Sequence, residues 1–147
     1  MDAAAMQEVF EIRSALEGLA VRLALPHIRA REIKRLERLL EDMDDCHAEP
    51  AEWIERHHAF HEYLCSLADR PRLLRQINGL HTLIEPHMRL WLAHVGNPHL
   101  ADDEHRAIIA ALRNGDPTAA TKVICEHIEG TVPELLRFIE RAKGPNA

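Results

Sequence analysis

Glycine is scarce in this chain, with six among 147 residues, and tyrosine occurs once. Runs of β-branched residues are few, and no segment alternates apolar and polar residues convincingly, so nothing points to strands. Cysteine is also thin. Cys46, Cys65 and Cys125 are an odd number at wide spacing, which fits neither a disulfide framework nor a thiolate zinc motif, and a reducing cytoplasm suits them best. Positive charge is not in excess. The net charge is −6, which argues against general affinity for nucleic acid or acidic membranes. No apolar stretch is long enough to span a bilayer. The opening MDAAAMQEVFEIRSALE lacks the basic and apolar regions of a signal peptide.

What remains is helix-forming material, dominated by Leu, Ala, Glu and Arg. With 46% apolar and 29% charged residues, a chain of this length supports one well-buried core and not two. Lys and Arg are interleaved with acids, the pattern of a solvated helix surface. No repeat or low-complexity segment divides the chain, so residues 1–147 are expected to form a single domain.

Hydrophobic spacing predicts six helices, or seven if the last is broken. The first runs from about Ala5 to Leu25, with Val9, Ile12, Leu16, Leu19, Ala20 and Leu23 inward, and Pro26 ends it. The second covers roughly Ala30 to Asp44, with Ile33, Leu36, Leu39, Leu40 and Met43 inward. The third starts near Pro50 and continues to about Ala68. The fourth spans about Arg72 to His94 and is open to a bend at Pro86. The fifth runs from about Leu100 to Asn114, where NGDP is a stop and restart signal. The last runs from about Pro117 to Ala142, with Pro133 a kink or break. The tail KGPNA is expected to be disordered. Short connections make neighbouring helices antiparallel, and the expected architecture is an all-α antiparallel bundle.

Histidine is the unusual entry in the composition, with eleven copies. In EWIERHHAFHEYL, His57 and His61 are four apart, which sets both rings on one helix face. They share a stripe with Ile54, Leu64 and Ala68. His105 falls on the apolar face of Ile108, Ile109 and Leu112, and His127 beside Val123, Ile124, Ile128 and Leu135. If these helices surround one cavity, the four rings meet in the bundle core, where helical proteins often hold metals. A single histidine on an apolar face is more often a satisfied core residue than a ligand. Both readings stay open on spacing alone. The remaining histidines are assigned no role, although His81 and His87 could face the same cavity.

Three blocks also carry a resemblance. VFEIRSALEGLAVRLA, HAFHEYLCSLADRPRLL and EHRAIIAALRNGDPTAATKVICEHI, in that order and spacing, resemble the C-terminal effector-binding and oligomerisation domain, called FCD, of GntR-type transcriptional regulators in the FadR group. The resemblance covers nearly the whole chain. It implies a metal held by His57, His61, His105 and His127, with His57 standing where a carboxylate or amide is often found. Imidazoles suit Zn²⁺, expected first, and Ni²⁺, second, over Ca²⁺ and Mg²⁺. The resemblance further implies a small carboxylate effector, with Arg13 or Arg89 as its cationic clamp. A local pair, such as Arg13 with Glu17, is the competing use of each arginine. The implied assembly is a homodimer in the cytoplasm that does not act on membranes. It would reach DNA only through a winged helix-turn-helix domain, which is absent from this chain, so the chain alone is not expected to bind DNA.

The expected function is therefore a metal-containing sensing domain and not an enzyme. The alternative is a metal-dependent helical-bundle enzyme, such as a DinB-like transferase or a hydrolase, with Glu104 or Glu126 as base. A third reading is a dimerisation module whose metal only stabilises the fold.

Overall fold

Asp2 opens the first helix. Its carboxylate accepts the Ala5 N–H at 2.8 Å, satisfying one of the donors that every helix start leaves free. Helix α1 then runs Ala3–Ala24, and a short 3₁₀ turn, Leu25–His27, follows at Pro26. The remaining helices are α2 (Ala30–Asp45), α3 (Pro50–Ser66), α4 (Pro71–Val95), α5 (His99–Asn114), α6 (Pro117–Gly130) and α7 (Val132–Ala142). This computed structural model describes residues 1–46, 49–95 and 99–142, with the backbone alone for 99–102. Among these residues there is no strand. The KGPNA tail lies outside them, as do His47 and the centre of the VGNPHL loop.

The turn signals act as their chemistry dictates. Gly115 takes φ of +71°, a left-handed conformation that ends α5 without a Cβ clash. Asp116 then accepts the N–H groups of Thr118 and Ala119, and Pro117 fills the first turn of α6, where no donor is needed. Asp69 sits at φ of +54° before Pro71 starts α4; aspartate is among the few residues that tolerate this region. Helix α4 is continuous through Pro86, which is exposed. The last predicted helix is broken. The Thr131 N–H bonds to the Glu129 carbonyl, closing α6, and Pro133 falls in the first turn of α7.

Helix α1 packs against α3, α4, α6 and α7, while α2 bridges α3 and α5. Arg106 reaches Asp44 at 2.8 Å, and Arg113 pairs with Glu37, tying α5 to α2 across their outer faces. The inward residues of α2 are Ile33, Leu36, Leu39, Leu40 and Met43, as spacing predicts. For α1 the expected stripe holds in part: Ala20 is fully buried, and Val9, Leu16 and Leu23 pack half-buried against the core. Ile12 is 43% exposed, and the buried face runs through Met6, Phe10, Arg13, Ser14, Glu17 and Val21. Three of these six are polar, and their burial is tolerable only because they find partners inside the bundle. Gly18 belongs to the same face. A Cβ there would meet the Cys125 sulfur at 3.0 Å and the Thr121 methyl at 3.3 Å, so its small size lets α1 and α6 approach closely.

Candidate metal and ligand site

Helix α3 carries His57 and His61 one turn apart, α5 carries His105, and α6 carries His127. One ligating nitrogen from each of the four rings lies within 4.8 Å of the others. His61 Nε2 and His105 Nε2 are 3.2 Å apart. Two nitrogens on a zinc ion at tetrahedral angles stand about 3.3 Å apart, given Zn–N bonds of about 2.0–2.1 Å. His61 and His105 are wholly buried and His127 nearly so, while His57 is half-buried and stacks on Trp53 at 4.8 Å. The edge of Phe60 closes against His105.

Two carboxylates fix which nitrogen His127 and His61 present. His127 Nδ1 donates to Glu104 Oε2 at 2.7 Å, leaving Nε2 with its lone pair. His61 Nδ1 donates to Glu17 Oε1 at 3.0 Å, so its Nε2 lone pair faces His105. A ring that donates from one nitrogen to a carboxylate is oriented, and made more basic, at the other. Burial holds the His61 imidazole down to about 3, against the opposing pull of Glu17. Burial first, then the neighbouring rings and Arg13, keep His57 well below the ordinary imidazole range. Both rings are therefore neutral at pH 7, the form that can ligate. On donor type, spacing and orientation, the four residues fit a divalent transition metal.

Glu17 is the polar centre of the core. It is fully buried and accepts from Arg13 Nε at 2.5 Å, His61 Nδ1, His81 Nε2 at 3.4 Å and the Cys65 thiol at 3.7 Å. Burial alone would raise its carboxyl, but Arg13 and the two histidines outweigh this and hold it well below the usual carboxylate range. Burial, followed by the Glu17 charge, pushes the Cys65 thiol well up, so that thiol is not reactive.

Beside His57 lies a cavity of about 30 Å³, lined by Arg13, Ile54, His57, His58, His81, Ile84, Glu85 and Met88. Arg13 Nη2 is buried there without a hydrogen-bond partner. Of the two arginines singled out in the sequence, Arg13 lines this cavity while also pairing with Glu17. Arg89 does not line it. Its Nε and Nη2 bind Glu85 Oε1 at 3.1 and 2.5 Å, the local i,i+4 use. His81 faces the cavity and His87 is not among its lining residues. Glu104, offered by the sequence as a base, is committed to His127, and Glu126 pairs with Lys122 on the surface.

Sequence reasoning does not find the carboxylates that orient the rings. Glu17 reads only as the i,i+4 partner of Arg13, because its bonds to His61 and His81 span 44 and 64 residues. The one available signal is a carboxylate on an otherwise core-facing register of α1.

Residues 8–130 match the FCD domain family, and the chain belongs to it. A curated relative, the HTH-type transcriptional regulator YdhC of Bacillus subtilis strain 168, is 27% identical over 144 residues. That match covers 94% of this chain and 63% of YdhC, so the chain spans less than two thirds of that relative's length. Among solved structures, Escherichia coli McbR/YncC superposes with a TM-score of 0.83 at 21% identity, covering 90% of this chain and 68% of that one. A GntR family transcriptional regulator from Pseudomonas syringae pv. tomato DC3000 gives 0.88 at 18% identity, over 100% of this chain and 62% of that one. YdhC and the Pseudomonas syringae protein are both named as transcriptional regulators.

Proposed function

We propose that this chain is the sensing and dimer-forming domain of a GntR-type transcriptional regulator. In this reading His57, His61, His105 and His127 hold a divalent transition metal, zinc first and nickel second. A small carboxylate binds between that centre and Arg13. The observation that carries the reading is the convergence of four imidazoles with a buried, partnerless guanidinium nitrogen at the adjoining cavity.

A bound ion would supply a double positive charge that four neutral rings leave uncompensated, a strong attraction for an anion. The rest is the work of the chain itself. Arg13 offers its outer nitrogen to a carboxylate oxygen while its Nε stays on Glu17, so the clamp is pre-oriented and costs little ordering on binding. Glu17 couples that clamp to His61. An anion drawn to Arg13 therefore acts on α1, which packs on α3, α4 and α6, and biases how those helices sit.

The dimer rests on the outer face of α4, where Gly79, Leu83, Pro86, Leu90 and Ala93 are exposed at alternating spacings of four and three, the repeat of a helix-pairing seam. DNA contact would belong to a winged helix-turn-helix unit, which these 147 residues do not include, and the site of action would be the cytoplasm. No described helix is long and apolar enough to cross a membrane.

Thermal melting tests the reading. Zinc should raise the melting temperature, acetate should raise it further, and a chelator should abolish both effects. A zinc response with no anion response would leave a structural metal site, and no response to either would remove the proposal.

A further inference from the structure

The cavity beside His57 is unequal along its length. At its closed side lie Arg13, 4% exposed, and His81, 8% exposed. Its walls are the aliphatic side chains of Ile54, Ile84 and Met88. At its open side stand His58 and Glu85, whose side chains are 30% and 32% exposed. The volume of about 30 Å³ is room for about two water molecules, the size of a carboxylate head with little to spare. A carboxylate seated on Arg13 would therefore fill this volume, and the rest of the molecule would leave by the open side, past Glu85.

We propose that Glu85 is a charge filter that admits short monocarboxylates and rejects dicarboxylates of the same length. This rests on reading the cavity as an anion site. A second carboxylate at the far end of the effector would meet the carboxylate of Glu85. The Arg89 guanidinium beside it already places two nitrogens on Glu85 Oε1, so its charge is shared with a carboxylate before any effector arrives. A methyl end meets no such penalty and is matched by Ile84 and Met88. Selection by an unfavourable contact, rather than by an added favourable one, is an efficient route to specificity. Arg89 thus serves the effector indirectly, by keeping Glu85 in place and itself occupied.

Butyrate and succinate are the probes, since both have four carbons and differ in the charge at the far end. In titration calorimetry on the zinc-loaded chain, butyrate should bind roughly tenfold or more tightly than succinate. Glu85→Gln should tighten succinate by roughly tenfold while leaving butyrate nearly unchanged. Arg89→Gln, which strips Glu85 of its counter-charge, should widen the preference for butyrate. Succinate binding the unmodified chain as well as butyrate, or no gain in Glu85→Gln, overturns the filter and leaves the anion site standing. Failure of both acids on fully zinc-loaded protein overturns the filter and the anion site together.

Discussion

Glu17 and Arg13 illustrate how much one buried pair can decide. Both side chains are at most 5% exposed and 2.5 Å apart. Breaking such a pair leaves a bare charge in the core, whereas removing both partners does not. Glu17→Leu should cost about 3–5 kcal/mol in urea denaturation, and Arg13→Met combined with Glu17→Leu should recover part of that loss. Recovery is incomplete because His61 and His81 still lose their acceptor. A double variant no more stable than Glu17→Leu would mean that the pair is not what makes Glu17 matter. The four histidines were legible at this scale because spacing of four and apolar neighbours are local properties. The acceptors that aim them were not, because a hydrogen bond between residues 17 and 61 leaves no periodic trace.

At the scale of elements, a clean amphipathic pattern marks the buried face, and α2 is the clearest case. In α1 it does so only in part, through Leu16, Ala20 and Leu23. Its centre carries apolar residues around most of its circumference, and its true core face includes Arg13, Ser14 and Glu17, which a hydrophobic stripe cannot contain. Gly18 adds a second cause, since the close approach of α1 to α6 is set by a missing side chain. The outer face of α4 is the complementary case. Leu83 and Leu90, 49% and 58% exposed, are one heptad apart on a face that the described residues do not cover. Leu90→Glu should convert the proposed dimer to a monomer in light scattering with little change in helix content. A dimer unaffected by that change would place the interface elsewhere.

For the molecule as a whole, the buried neutral rings make stability depend on pH. Burial lowers His57, His61 and His81, the last two partly offset by Glu17. An unfolded chain titrates its histidines near about 6.5. Below that value the unfolded state takes up protons that the folded state refuses, so stability rises with pH across this window. The metal-free protein should therefore lose stability as pH falls from about 6.5 toward the value of about 3 at which folded His61 titrates. Glu17, held low by Arg13 and the histidines, adds a loss of the same sign below its ordinary value of 4.5. Melting temperatures that stay flat from pH 7 to pH 5 in chelated protein would show that these rings take up protons as readily in the folded state as in the unfolded chain.

Four imidazoles sharing one cation are the centre of the proposed site, and the metal content of the purified chain tests this most directly. After loading with zinc and exhaustive dialysis, elemental analysis should find about one equivalent of metal per chain, and His105→Ala should retain little or none. An unmodified chain that emerges free of metal, or a His105→Ala chain that holds as much as the original, would contradict it.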